Sequence, residues 1–373
     1  MHTSAVDRWV ELFAADPRPW LLACDEAPAR WVALAELHRL GEGHPEVWAA
    51  RAAAVASPMV TGLVGALPTW GRDEVVPGHD SPAYLPNMLA FVAELGLRAG
   101  DDDRVDEALD LLCAHQDADG RFLSLGRAPG HPEPRWSSLP CDTHLITDVL
   151  VRYGRAEHPA VHHGLERIGA DLQATNQGRA WTCVPDPVVR WRGPGRKGDV
   201  CPQVTLEALR AFSRLSEAHR PPHLLEAAKT LLDVWRNRGD HLPYQFGHGS
   251  RFKAVKWPPL WYGAYATLDT LGRYPALWRD GSDADRRSLA ELVACLVAYN
   301  VARDGTVTPR SVYRGFAGYS FGQKKAPSPT ATALLAAVVR RFEDLTDEIA
   351  DVDVTKLGSS KGGSGTPIAP KTN

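Results

Sequence analysis

The chain of 373 residues is 44% hydrophobic and 23% charged, with a formal net charge of -3, which is the composition of an ordinary soluble protein with enough apolar material for a core. Nucleic acid and acidic membranes are not expected as partners, because they usually select a basic face. The first residues lack a basic start followed by an apolar run, and no window approaches the roughly 18 apolar residues of a membrane span. We therefore expect a cytoplasmic protein with no integral membrane segment.

Two kinds of helical segment alternate along the chain. A helical hairpin at residues 27–57 and a loop predicted at residues 58–81 come first. The segments that follow and are apolar almost throughout are 85–97, 145–153, 204–215, 259–271 and 334–342. The segments between them that are amphipathic are 105–115, 158–173, 224–236 and 285–300. Prolines near the starts of the apolar segments recur at about sixty residues, and proline suits a first helical turn because the N–H it lacks would have no partner there.

This alternation predicts how the helices pack. A wholly apolar helix is buried on all sides, whereas an amphipathic helix keeps one face in water. The apolar helices therefore form an inner ring and the amphipathic helices an outer ring. We predict an all-α fold, an α/α toroid of about six helical hairpins, as a single domain over residues 1–357 with the repeats in residues 82–345. The Gly/Ser/Pro/Lys-rich tail, residues 358–373, cannot bury a core and is predicted to be disordered.

The connection between an outer and an inner helix carries a recognisable motif. It reads Gln116-xxx-Gly120-x-Phe122, with looser versions at residues 173–181 and at Asp304-Gly305. The motif resembles the QxxxGxW signature of the prenyltransferase and squalene-cyclase superfamily, the terpenoid cyclase-like toroids. The resemblance implies an enzyme acting on a hydrophobic, isoprenoid-like substrate in a central cavity. The DxDD acid motif of class II terpene cyclases is absent from the sequence, and residues 101–103 are interpreted as a helix cap.

A second resemblance concerns a metal. Residues 195–201, GRKGDVC, are similar to the zinc-binding segment of protein prenyltransferase β subunits, where an Asp-x-Cys pair follows a basic stretch at the head of an inner helix. The resemblance implies zinc ligation by Cys201, with Asp199 as a ligand or base. The histidine ligand that this family carries on a later inner helix has no evident counterpart.

Two further cysteines fall at the same predicted mouth of the toroid. Cys141 heads the preceding inner helix, and Cys183 lies in the loop between the two helices. We predict zinc bound by Cys141, Cys183 and Cys201, because sulfur-rich ligation suits this ion. The alternative is three buried thiols, since free cysteine is among the most buried residue types and separations of 42 and 18 residues match no compact zinc pattern.

Three polar residues of this region are candidate catalytic groups. Asp142, His144 and Asp199 are predicted at helix N-termini, where the helix dipole favours a carboxylate and disfavours a protonated imidazole. Helix capping is the alternative for the two aspartates, and a hydrogen-bonded structural histidine is the alternative for His144.

A cationic and aromatic group is the candidate substrate site. Lys253, Lys256 and Lys324 precede inner helices and are predicted to hold the anionic end of a substrate, such as a diphosphate or carboxylate. Trp257 and Tyr262 are predicted to line the same site, where aromatic rings stabilise a carbocation or fill a hydrophobic cavity. Solvated lysines and ordinary core packing are the alternatives.

Other functions of helical toroids stay open. A glycan hydrolase or lyase needs two carboxylates about 5 to 10 Å apart in an aromatic cleft, and no paired Asp/Glu motif stands out in the loops. A lanthionine-type peptide cyclase needs a Cys-His-Gly ligand segment, which is missing from the sequence. A non-catalytic binding module would have a shallow cavity and no metal.

Overall fold

The structure is a computed structural model that describes residues 7–71, 75–76, 78–127, 130, 132–193, 195–240 and 246–357. Helices predominate, and each strand is two or three residues long. The predicted all-α class is confirmed. The tail predicted to be disordered, residues 358–373, lies outside the described residues.

Many of the α-helices carry a proline in their first turn. In chain order they are α1 (Arg18–Ala23), α2 (Ala27–Val32), α3 (Pro45–Val55), α4 (Pro58–Gly65), α5 (Leu85–Glu94), α6 (Asp103–Ala114), α7 (Pro140–Arg152), α8 (Pro159–Ala170), α9 (Pro202–Ser213), α10 (Leu224–Arg236), α11 (Ser250–Lys253), α12 (Ala264–Leu271), α13 (Ala276–Arg279), α14 (Asp283–Asn300), α15 (Pro329–Arg340) and α16 (Thr346–Ala350). Helix α2 continues as a π-helical turn, Ala33–Leu37. Short 3₁₀ turns occupy Arg8–Leu12, Glu217–His219, Ser320–Gly322, Glu343–Leu345 and Val354–Lys356.

The strands form small two-stranded ladders. Strands β1 (Ser124–Gly126) and β2 (Arg135–Ser137) are antiparallel, as are β3 (Gln173–Thr175) and β4 (Gly178–Ala180). Strands β5 (Lys256–Trp257) and β6 (Ser311–Val312) are parallel, with Lys256 opposite Ser311.

The predicted alternation of wholly buried and half-buried helices is observed. In α7 every residue except Arg152 is buried, and all eight residues of α12 are buried. In contrast, α6 buries a single stripe at Val105, Ala108, Leu109 and Leu112. Asp102 accepts a hydrogen bond from the backbone N–H of Arg104, as expected for a capping aspartate.

One predicted loop is partly helical. Residues 58–81 were expected to be irregular because of their glycines and prolines, but Pro58–Gly65 forms α4. Val60, Leu63 and Val64 are buried at helical spacing, and α4 packs against α5. Burial of this apolar stripe outweighs the poor helix propensity of glycine, which is about 1 kcal/mol per residue.

Contacts divide the chain into two compact units. The central unit comprises Pro58–Gly247 and Leu260–Tyr262, and the terminal unit comprises Met1–Ser57, His248–Pro259 and Gly263–Asn373. In the central unit α7 packs against α5, α8 and α9, and α10 packs against α9. In the terminal unit α12 packs against α14 and α15, and α15 packs against α2. The single domain over residues 1–357 stays a prediction.

Two segments that are far apart in the sequence meet inside the terminal unit. One carboxylate oxygen of Glu26 accepts hydrogen bonds from the backbone N–H and the hydroxyl of Thr330, at 3.1 and 2.6 Å. The first turn of α15 is therefore capped by a residue that precedes α2.

The connections that lead from a half-buried helix to a buried helix depend on a glycine. Gln116 donates to the carbonyls of Ala160 at 2.7 Å and of Gly120 at 3.1 Å, and a Cβ added at Gly120 would lie 2.5 Å from the carbonyl oxygen of His163. Gly120 also has φ +82, a conformation that disfavours any side chain. Equivalent close approaches occur at Gly178, 2.5 Å from Thr230 Oγ1, and at Gly305, 2.3 Å from the carbonyl oxygen of Ala15.

We expect Gly120→Ala to lower the free energy of unfolding by roughly 2–4 kcal/mol, because it combines a left-handed backbone with a steric clash. Gly154→Ala is the matched control, since Gly154 has φ +77 and no atom within 4 Å of an added Cβ. Urea denaturation measures both variants. If both variants lose the same free energy of unfolding, the close approach of Gly120 to His163 does not add to the cost of a side chain at Gly120.

No single helix among the described residues is long and apolar enough to cross a bilayer, and only α3 with α4, as a bent pair, reaches that length and composition.

Candidate functional site

Asp142, in the first turn of α7, is the centre of a buried hydrogen-bond cluster in the central unit. Its Oδ1 atom lies 2.6 Å from Nε2 of His79, accepts from the hydroxyl of Tyr84 at 2.9 Å, and also accepts from the hydroxyl of Ser124. Its Oδ2 atom accepts from the backbone N–H of Leu139 at 2.7 Å. The carboxylate therefore caps its own helix and also holds three side chains from other elements.

The partners of Asp142 come from separate elements that the fold fixes in place. His79 lies in the loop before α5, Tyr84 is the N-cap residue of α5, and Ser124 begins β1. The side-chain amide of Asn87 donates to the carbonyls of His79 at 2.7 Å and Ser81 at 3.0 Å, which anchors the loop to α5. The rings of His79 and Tyr84 meet edge to face at 4.9 Å. The site is thus held before any ligand arrives.

His79 and Asp142 form an ion pair. Burial alone would lower the pKa of His79, but the charge of Asp142 and its hydrogen bond raise the pKa above the ordinary histidine value. Burial alone would raise the pKa of Asp142, but the charge of His79 and the hydrogen bonds from His79, Ser124 and Leu139 bring the pKa below its ordinary value. Burial and the charge of Asp142 raise the pKa of Tyr84, which stays a neutral donor.

Cys141 completes a set of three metal-ligand types. The donor atoms of His79, Cys141 and Asp142 all lie within 4.8 Å of one another. Burial raises the pKa of the Cys141 thiol, and the charges of Asp142 and Glu207 raise it further. Nitrogen, sulfur and oxygen donors therefore converge at the head of α7, and His79 is a member that the sequence did not suggest.

The other two predicted zinc ligands lie near this set but do not belong to it. The charges of Cys183 and Cys201 both contribute to the raised pKa of Cys141, so the three thiols share one region of the central unit. Cys201 is the N-cap residue of α9, and its backbone N–H donates to the carbonyl of Trp181 at 2.8 Å. Cys183 accepts backbone hydrogen bonds from Gly193 and Gly195. Neither residue is in the group whose donor atoms lie within 4.8 Å.

Asp199 and His144, predicted to be catalytic, make structural contacts. Asp199 accepts from the side-chain amides of Asn176 at 2.9 Å and Gln177 at 3.1 Å, which ties it to the β3–β4 turn. Nδ1 of His144 lies 2.9 Å from the carbonyl oxygen of Val204, and burial lowers the pKa of His144 to about 4. His144 is therefore neutral and links α7 to α9, which favours the structural interpretation of this residue.

Glu207 is a second residue of this region that sequence reasoning missed. It is fully buried on α9, and its Oε1 atom accepts from the side-chain amide of Gln203 at 2.5 Å. Among the described residues, neither Oε2 of Glu207 nor Oε1 of Gln203 has a hydrogen-bond partner. Burial raises the pKa of Glu207 to about 8, and its charge acts on His79 and Cys141. Glu207 is thus a neutral acid near pH 7 that, when ionised, affects the pKa values of His79 and Cys141.

The predicted cationic and aromatic residues are divided between the two units. In the terminal unit, the buried Lys253 ammonium lies 5.4 Å from the ring centroid of Tyr299, and the Lys256 ammonium lies 3.6 Å from that of Tyr313. Trp257 is fully buried with its ring 5.9 Å from that of Tyr265, as expected for core packing. Lys324 is exposed.

Tyr262 belongs to the central unit. Its ring meets that of Phe246 edge to face at 5.2 Å, and burial and the charge of Cys201 raise its pKa. Of the aromatic residues predicted to bind substrate, Tyr262 is therefore the one that lies in the region of the cysteines.

No family model matches the chain, and no curated protein matches it. A solved structure of a polysaccharide lyase is similar, with a TM-score of 0.35 and 10% sequence identity over 86% of this chain and 90% of that chain. A similarity at this level supports no inference about fold or function, so the chemistry of the site carries the interpretation.

Proposed function

We propose that the chain is a zinc-dependent enzyme in which His79, Cys141 and Asp142 hold the metal. The observation that carries this proposal is the convergence of one imidazole nitrogen, one thiol sulfur and one carboxylate oxygen within 4.8 Å. Zinc is commonly bound by these three ligand types, and a set of three protein ligands leaves one position open for a substrate or water.

The surroundings of the three donors fit a metal. Tyr84, Ser124 and the backbone of Leu139 all donate to Asp142, as the partners that orient a ligating carboxylate do. Nε2 of His79 and Oδ1 of Asp142 lie 2.6 Å apart and share one proton. A metal cation bound by both atoms would replace that proton. The thiol of Cys141 would lose its proton on binding, so metal affinity should fall as the pH falls.

The same ligand types are implied by the resemblance to protein prenyltransferases, at a different place in the chain. That resemblance assigned aspartate and cysteine to the head of α9 and left the histidine unaccounted for. Here the aspartate and cysteine are adjacent at the head of α7, and the histidine comes from the loop before α5. The alternation of buried and half-buried helices and the glycine-dependent connections support an α/α toroid, and the resemblance to prenyltransferases implies a hydrophobic, isoprenoid-like substrate.

In this proposal the residues have separate roles. Bound zinc would supply a Lewis acid that polarises a substrate oxygen or lowers the pKa of a bound thiol or water. Tyr84 and Ser124 orient Asp142, and Asn87 fixes the loop that carries His79. Glu207, neutral near pH 7, is placed by Gln203 to transfer a proton.

One observation favours a second candidate, a glycan hydrolase or lyase. Asp142 and Glu207 are two buried carboxyl groups whose pKa values are shifted in opposite directions, one below its ordinary value and one to about 8. Such a difference between two pKa values is typical of a carboxylate and a general acid that act together. This function requires no zinc ligation by Cys141, so metal content distinguishes the two candidates.

Elemental analysis of protein purified without chelator tests the zinc proposal. We expect near-stoichiometric zinc in the parent protein and in Cys183→Ser, and loss of most of the bound zinc in Cys141→Ser and in His79→Gln, because each of these changes removes a ligand. Circular dichroism shows whether each variant is folded. Zinc-free parent protein after growth with added zinc would overturn the proposal. Zinc that is lost in Cys183→Ser and Cys201→Ser but kept in His79→Gln would instead support the three-cysteine site predicted from the sequence.

A further inference from the structure

A pocket in the terminal unit has the chemistry of an anion site. It has a volume of about 560 Å³ and lies between the short helix α11, the end of α14 and the β5–β6 ladder. Its polar lining consists of three cations, two hydroxyl groups and one phenol: Arg251, Lys256, Arg310, Ser250, Ser311 and Tyr299. No carboxylate is among the described residues that line it.

The backbone that carries these side chains is tied together. The parallel register of β5 and β6 places Lys256 opposite Ser311, next to Arg310. Asn300, at the end of α14, accepts from the backbone N–H of Val255 at 2.9 Å and donates to the carbonyl of Lys253 at 2.9 Å. The segment between α11 and β5 is therefore fixed against α14, and the pocket wall is held in place without a ligand.

The three cations of the lining lack acidic partners. In the described part of the chain, Arg251, Lys256 and Arg310 form no ion pair with aspartate or glutamate. Other arginines of the terminal unit do, for example Arg273 and Arg341 with Asp269. The Lys256 ammonium instead lies over the ring of Tyr313. Positive charge is thus concentrated on one concave surface, where none of the described residues supplies a compensating carboxylate.

We propose that this pocket binds a small molecule through a diphosphate or similar group of several negative charges. Three cations would over-compensate a single carboxylate, whereas a diphosphate offers both the charge and the oxygens to match them. Arginine binds phosphate oxygens through its planar fork, and lysine contributes a point charge. The hydroxyl groups of Ser250 and Ser311 donate to the remaining oxygens, and the phenol of Tyr299 closes the wall.

Isothermal titration calorimetry of the full chain with inorganic pyrophosphate tests this site. The parent protein is expected to bind, and the double variant Arg251→Ala/Arg310→Ala is expected to bind roughly tenfold to a hundredfold more weakly. Arg287→Ala is the matched control, since Arg287 is an exposed arginine of α14 outside the pocket lining and its replacement should leave the affinity unchanged. Affinity should also fall as ionic strength rises.

Two further titrations make the outcome specific. Citrate tests whether carboxylates serve equally well, and equal affinity for citrate would overturn the assignment to phosphate chemistry. Cys141→Ser should bind pyrophosphate like the parent protein, which separates this site from the proposed zinc site. Absence of binding by the parent protein at millimolar pyrophosphate, or equal binding by the double variant, would overturn the proposal.

Discussion

Replacing Asp148 by asparagine is expected to lower the free energy of unfolding by about 3–5 kcal/mol, the usual cost of removing one partner of a buried ion pair. Asp148 is fully buried on α7, with Arg214 at 2.9 Å, Arg210 at 3.3 Å and Arg152 at 3.8 Å. Asparagine keeps the shape of the side chain and removes the charge. Arg210 of α9 and Arg214, the C-cap residue of α9, would then have lost the carboxylate that joins them to α7.

The pH dependence of this ion pair has a definite sign. Burial alone would raise the pKa of Asp148, but the charges of Arg214, Arg152 and Arg210 hold it below the ordinary value. Its contribution to stability is therefore present above the pKa of an unfolded aspartate and is lost as the pH falls.

A surface aspartate of the same unit provides the control. The side chain of Asp110 is 66% exposed and pairs with Arg155 at 2.8 Å, so Asp110→Asn should cost no more than about 1 kcal/mol. Urea denaturation at neutral pH measures both variants. If Asp148→Asn lowers the free energy of unfolding as little as Asp110→Asn does, the ion pairs of Asp148 with the three arginines do not stabilise the fold.

Replacing Glu207 by glutamine is expected to remove a large part of the pH dependence of stability. The pKa of Glu207 is about 8 in the folded chain, and an unfolded glutamate has a pKa of 4.5. Between these values the folded state keeps a proton that the unfolded state has released, so stability falls as pH rises, by up to about 1.4 kcal/mol per pH unit. The glutamine side chain is neutral at every pH, so the free energy of unfolding of Glu207→Gln should not fall over the pH range where that of the parent protein does.

The measurement compares unfolding free energies at pH 5.5 and pH 8. The advantage of Glu207→Gln over the parent protein should grow by roughly 2–3 kcal/mol across this interval. Glu166→Gln, a change of the same chemistry at an exposed position of α8, should leave the pH profile unchanged. Parallel profiles for the parent protein and Glu207→Gln would mean that Glu207 is ionised in the folded chain.

Much of the helical framework follows from local sequence. Prolines mark the first turns of α5, α7, α9 and α15, and burial follows the contrast between apolar and amphipathic segments. One exception is α4, where glycines suggest a loop although an apolar stripe recurs at helical spacing. Local pattern thus predicts a helix best where propensity and periodicity agree.

The candidate site was predictable only in part, because contacts between distant residues leave no local pattern. Cys141 and Asp142 were found through their position at a helix start. His79 precedes Asp142 by 63 residues and lies in a loop without a motif. Glu207 did leave a signal, since an acidic residue inside a helix predicted to be buried on all sides requires an explanation. The predicted set of three cysteines shares one member, Cys141, with the group of donor atoms that lie within 4.8 Å of one another.

The contact between Glu26 and the first turn of α15 has a consequence for synthesis on the ribosome. Nearly all of the central unit is one continuous stretch, so it can acquire its contacts while translation is still in progress. Helix α2 and its N-cap residue Glu26 are synthesised 304 positions before Thr330, at the start of the helix against which they pack. Helix α2 must therefore wait, with apolar surface uncovered, until α15 leaves the ribosome.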